Sequence, residues 1–144
     1  MLQHLFESKL ITVRRSFKAD SDTVKGDDYQ LEQAFLNLFF NALEAMGSHG
    51  SLTVATELVP PGGPENPYAP LLRATVRDTG IGVAPENVDR LFDPFFTTKA
   101  NGTGLGLPIT RRIVQEHRGI ISVSSESHQG TTFTVLLPSE SRQP

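Results

Sequence analysis

The sequence predicts an α+β fold, a two-layer α/β sandwich of one sheet and its helices. Short segments of period-2 alternation stand on both sides of a long segment of helical period. Two of the alternating segments are joined by a proline-rich connection, the pattern of a hairpin with an excursion. A chain of 144 residues with 38% hydrophobic content is one domain's worth of core. We therefore expect a single domain over residues 1–144, with the polar stretch 139–144 as a flexible tail.

Leu10 to Phe17 alternates Ile11 and Val13 with polar residues and reads as a strand; Thr23 to Lys25 is a shorter candidate. Asp27 or Asp28 can cap a helix from about Tyr29 to Met46, which Gly47 and Gly50 stop. Ser51 to Val59 and Leu71 to Arg77 alternate and form the expected hairpin pair, joined through Pro60, Pro61, Pro64, Pro67 and Pro70. A short helix follows near Pro85 to Leu91, and another from Leu107 to His117, with Pro108 tolerated in its first turn and Gly119 at its end. Ile121 with Val123, then Phe133 with Val135 and Leu137, mark two closing strands. No internal repeat is present.

The net charge of -3 and the scattered Lys and Arg make no basic stripe, which argues against a nucleic-acid partner. The chain has no Cys, no apolar run near 18 residues and no signal-peptide pattern at its start. A cytoplasmic location is expected for this segment, whether or not its parent is anchored in a membrane.

Three local features carry chemistry. On the Tyr29 to Met46 helix, Leu31, Ala34, Phe35, Leu38, Ala42 and Ala45 share an apolar arc that Phe39 and Met46 extend, while Asn37, Asn41 and Glu44 fall on one narrow stripe. That stripe fits either a solvated face or the wall of a wet cleft with polar partners. Asp78 continues the inward face of Leu72, Ala74 and Val76, so a carboxylate ends the strand pointing at the core. An adenine amine would supply the donors it needs, with Gly80 and Gly82 clearing the approach of a flat ring; a plain β-turn at Asp78-Thr-Gly fits the same residues. Gly102-Thr-Gly-Leu-Gly106 runs directly into a helix, where free backbone N–H groups attract phosphate, although such a stretch is also simply flexible. Neither the dinucleotide-binding nor the Walker A pattern accompanies it.

Together these residues resemble the ATP-binding catalytic domain of sensor histidine kinases, within the superfamily that also holds type II DNA topoisomerases, mismatch-repair ATPases and large heat-shock chaperones. Asn37-Leu-Phe-Phe-Asn41-Ala-Leu-Glu-Ala45 is similar to the family's N box, Asp78-Thr-Gly-Ile-Gly82 to its first glycine box and Leu91-Phe-Asp-Pro-Phe-Phe-Thr-Thr-Lys99 to its F box. Gly102 to Gly106 resembles the second glycine box, and Gly130-Thr-Thr-Phe133 the closing strand motif. The Phe-Phe-Thr-Thr-Lys form is similar to the nitrogen-regulation type.

The resemblance implies a Bergerat-type fold, a mixed sheet backed by three helices, with ATP between the N-box helix and a lid from about Phe92 to Gly104. By resemblance Asn41 coordinates Mg²⁺ and Asn37 completes the polar wall; Asp78 accepts from the adenine amine, supported by Thr131. Lys99, and secondarily Arg90, contact phosphates; Gly80, Gly82, Gly102, Thr103, Gly104, Leu105 and Gly106 form the nucleotide cradle. Phe95 and Phe96 read as lid or docking hydrophobes or as plain core. Topoisomerase-like relatives place a glutamate where this chain has Asn37, which cannot act as a base, so poor hydrolysis and transfer to a protein histidine are expected. Glu44 fits two roles, a base toward the incoming histidine or a hydrogen-bond partner of the Mg²⁺ shell.

The expected partners are a phosphoacceptor and dimerisation domain and a downstream response regulator, with the isolated domain monomeric. His4, His49, His117 and His128 all lack the acidic neighbour of a phosphoacceptor, so no self-phosphorylation is expected. A regulatory ATP-binding module and a serine kinase acting on anti-sigma antagonists are the alternatives.

Overall fold

The structure, a computed structural model, describes residues 10–17, 28–47, 49–60, 70–94, 96 and 106–138. The strand expected at Thr23 to Lys25, the tail 139–144, and Phe95, Lys99, Gly102, Thr103, Gly104 and Leu105 lie outside the described residues. Within them the chain forms β1 (Leu10–Phe17), α1 (Asp28–Met46), β2 (His49–Val59), β3 (Leu71–Asp78), α2 (Pro85–Val88), α3 (Gly106–Glu116), β4 (Ile120–Glu126) and β5 (Gly130–Pro138).

The strands make one mixed sheet in the order β1-β2-β3-β5-β4, with β1 parallel to β2 and every other pairing antiparallel. The hairpin of β2 and β3 is present, in a register that sets Leu52 opposite Asp78 and Val59 opposite Leu71. Chain order places β4 next to β3, yet β5 is inserted between them. α1 and α3 pack against each other and share one face of the sheet.

Burial follows the pleat. Leu72, Ala74, Val76 and Asp78 of β3 point inward, and on β5 Thr131, Phe133, Val135 and Leu137 do the same. Ala74, Val76, Phe133, Val135 and Leu137 meet Leu38, Ala42, Leu43 and Met46 of α1 and Val114 of α3. Each fully buried Leu, Val, Met or Phe side chain among them contributes about 1.5–3 kcal/mol relative to exposure. The predicted arc of α1 is inward, and Leu43, off that arc, is buried as well. α2 stops at Val88, earlier than the Leu91 expected from sequence, and residues 89–92 continue as turns. Its shortness has a local cause: the N–H groups of Arg90 and Leu91 bond to the carbonyls of Asn87 and Val88, a three-residue step that ends an α-helix.

Candidate nucleotide site

β3 delivers Asp78 to the inward face, 2% exposed, with Thr131 of β5 directly opposite and 4% exposed. Such burial at the end of a strand needs donors, and the Gly80 N–H supplies one to Asp78 Oδ1 at 2.8 Å. The segment after Asp78 is pinned from two sides. On one, the Ile81 N–H donates to the Ala45 carbonyl at the end of α1 at 3.1 Å; on the other, the His128 N–H of the β4–β5 turn donates to the Ile81 carbonyl at 2.5 Å. Thr79 adds a third tie, its Oγ1 accepting from the Ser51 N–H at 3.0 Å.

The polar stripe of α1 faces the start of α3. Asn37 Nδ2 donates to the Gly106 carbonyl at 3.3 Å, and the same carbonyl accepts from Thr110 Oγ1 at 2.8 Å. Asn37 Oδ1 in turn accepts from Gln33 Nε2 at 3.4 Å. Asn41, one turn on, is half-buried, and Glu44 lies on the exposed side of the helix. Gly106 opens α3, and among the described residues nothing would meet a side chain added there. A buried carboxylate and a hydroxyl thus lie toward the end of α1, and a carboxamide row and an open helix start lie along its middle, a donor and acceptor set suited to a base at one end and anionic oxygens at the other.

The family of histidine kinase-, DNA gyrase B-, and HSP90-like ATPases matches residues 26–141. The chain belongs to this family. It is 37% identical over 131 residues to the sensor histidine kinase ZraS of Escherichia coli K12, covering 91% of this chain and 26% of that protein. It therefore spans about a quarter of the relative's length. The catalytic domain of histidine kinase ThkA superposes with a TM-score of 0.78 at 29% identity, covering 95% of this chain and 86% of that one. Full-length ShkA in complex with AMPPNP gives a TM-score of 0.72 at 30% identity, covering 89% of this chain and 25% of that one.

Against the family pattern, the structure gives the glycines of Asp78-Thr-Gly-Ile-Gly82 a cause other than ring access. A Cβ on Gly80 would stand 2.5 Å from the Ala45 carbonyl oxygen, and one on Gly82, at φ +70, would collide with the Glu126 carbonyl. Both positions are filled by the protein's own backbone, so glycine here allows the segment to be clamped between α1 and the β4–β5 turn. The guanidinium of exposed Arg90 lies 4.5 Å from the centroid of the half-buried Phe96 ring. Cation and ring attract one another through the ring's negative face. Phe92 packs on the core, its ring in a T-shaped contact with Phe133 at 6.4 Å between centroids, with the Arg111 guanidinium of α3 over it at 5.3 Å.

Ser125 went unnoticed in the sequence. Its Oγ accepts from the Val83 N–H at 2.8 Å, lies 3.0 Å from the Gly130 carbonyl oxygen and 2.8 Å from Thr131 Oγ1. The only sequence signal is its inward position on β4, two residues after Val123. No helix among the described residues is long and apolar enough to cross a membrane.

Proposed function

We propose that this chain is the catalytic module of a sensor histidine kinase, a single domain of residues 1–144 that binds Mg-ATP and passes its γ-phosphoryl group to a histidine on a separate phosphoacceptor and dimerisation domain. The buried Asp78 carboxylate carries the reading, because it ends β3 on the inward face with Thr131 across from it, where a base with an exocyclic amine can donate to both. Asn37 and Asn41 form the wall toward the phosphates, and Asn41 is the protein ligand of Mg²⁺, completed by phosphate and water oxygens. When bound, that cation neutralises charge developing on the transferred phosphoryl group. Gly106 and the preceding glycines take the phosphates at the start of α3, with Lys99 as the charged contact.

The chain's own part is positioning. Clamping of 78–83 between α1 and the β4–β5 turn fixes the base-reading end, so the phosphates are placed from a rigid anchor. Asn37 has no basic group to draw a proton from water, and its amide is engaged with Gly106 and Gln33, which supports retention of ATP until a protein acceptor arrives. In the transfer a phosphorus–nitrogen bond forms to the imidazole, the bond to the β-phosphate oxygen breaks, and ADP leaves. In this reading Glu44, exposed on α1, either takes the imidazole proton or hydrogen-bonds the Mg²⁺ shell. A response regulator is the downstream partner, and the module works in the cytoplasm.

Asp78→Asn tests the base-reading end. Asn keeps one oxygen for the Gly80 N–H and turns an amide donor toward the base amine, so ATP affinity falls about 100-fold by calorimetry. Supplying a phosphoacceptor domain in trans with γ-labelled ATP yields base-stable, acid-labile label on that domain; tight ATP binding with no transfer overturns the kinase reading.

A further inference from the structure

We propose that Ser125 is a positioning residue that sets the base preference of the site: it takes the hydroxyl proton of Thr131, leaving Thr131 Oγ1 as an acceptor beside the Asp78 carboxylate. Two acceptors side by side then favour a purine carrying an amine at C6 over one carrying a carbonyl there. The inference rests on the nucleotide reading above and assigns it a residue outside the motifs that define the family.

A hydroxyl has one proton and two lone pairs, a backbone N–H only donates and a carbonyl only accepts. Ser125 Oγ meets one of each kind: the Val83 N–H at 2.8 Å, the Gly130 carbonyl at 3.0 Å and the Thr131 hydroxyl at 2.8 Å. All three bonds form together only if the Ser125 proton goes to Gly130, one lone pair takes the Val83 N–H, and the other takes the Thr131 proton. The reverse assignment, Ser125 donating to Thr131, gives up the bond to the carbonyl of buried Gly130.

Thr131 has spent its proton and turns only lone pairs toward the neighbouring Asp78, its Cα partner across the β3–β5 ladder. Adenine brings two N–H donors at C6 to this pair of acceptors. Hypoxanthine brings a carbonyl oxygen, which meets oxygen lone pairs and is repelled. A site that reads a donor by buried acceptors discriminates strongly, because the wrong base sets a lone pair of its own against them.

Dissociation constants for ATP and ITP, measured by calorimetry on the chain and on Ser125→Ala, Ser125→Thr and Thr131→Val, decide the matter. In Ser125→Ala the Thr131 hydroxyl rotates free to donate to a C6 carbonyl, so the preference for ATP over ITP narrows about tenfold. Ser125→Thr keeps the hydroxyl on a strand that tolerates β-branching and retains the preference. Thr131→Val removes the acceptor without disturbing the Ser125 bonds to Val83 and Gly130, and narrows the preference likewise even if Ser125→Ala does not fold. Equal weakening of both nucleotides, with the ratio unchanged in Ser125→Ala or Thr131→Val, means a purely structural role and overturns the proposal while leaving the nucleotide site standing. Absence of ATP binding by the unaltered chain overturns the nucleotide reading itself.

Discussion

Asp78 is 2% exposed and Gly82 holds φ +70 against the Glu126 carbonyl, so substitutions at the two ends of one short segment act in different ways. Gly82→Ala forces a Cβ into backbone that cannot yield and a left-handed conformation that disfavours it. The expected loss is about 2 kcal/mol or more of stability, read from the urea unfolding midpoint. Asn41→Ala works on the site and spares the scaffold, since its helix keeps Leu38, Ala42 and Met46 in the core. ATP titrated with and without Mg²⁺ shows a metal-dependent gain in affinity for the unaltered chain and none for the variant; an undiminished gain removes Asn41 as the metal ligand. Of the residues expected at the site, Asp78 and Thr131 are paired across β3 and β5, and Asn37, on the same stripe of α1 as Asn41, reaches Gly106 at the start of α3. Period-2 and 3.6-residue patterns were enough to place Asp78 inward and the two asparagines on one stripe, because both are properties of a single element. The purpose of Gly80 and Gly82 was not legible, since the atoms they avoid belong to Ala45 and Glu126, distant in the chain.

At the scale of elements, β5 is the strand on which the site depends. Its inward residues Phe133, Val135 and Leu137 anchor it in the core, and that anchoring holds Thr131 at Asp78. Phe133 is 2% exposed and carries the edge contact with Phe92, so Phe133→Ala empties the centre of the sheet's helical face. The cost is about 3–5 kcal/mol in chemical denaturation, against well under half of that for Phe92→Ala at the partly covered rim. By contrast the Arg73–Glu57 pair at 2.5 Å joins β3 to β2 with side chains 38% and 47% exposed, where water screens it. A double-mutant cycle there returns less than about 1 kcal/mol. The boundaries of β1, β3 and α1 were close to those read from periodicity, whereas α2 was overextended because its three-residue hydrogen bonds have no clear signature in composition.

Across the whole molecule, the proposed division of labour is between a catalytic chain and an acceptor carried elsewhere. His49 and His128 are exposed, and His128 occupies a turn at φ 66. His117 donates from Nδ1 to the Ile113 carbonyl at 2.8 Å, so its ring is tied to its own helix. None stands on the polar stripe of α1 where the phosphates are proposed to lie. Incubated alone with γ-labelled ATP, the chain therefore acquires no base-stable label; label on it above background contradicts the assignment of acceptor and donor to separate domains.

The kinds of element, the inward carboxylate of β3 and the carboxamide stripe of α1 were determined by the sequence itself, since each depends on spacing within one helix or strand. The tertiary structure alone decided that β5 enters between β3 and β4. That placement pairs Thr131 with Asp78, brings Ser125 onto the Thr131 hydroxyl and lays the β4–β5 turn against Gly82. Strand order arises from how faces pack across space, and the direction of one hydroxyl proton arises from partners on two other segments of chain, Val83 on one and Gly130 with Thr131 on the other; neither is encoded in the repeat of any one element.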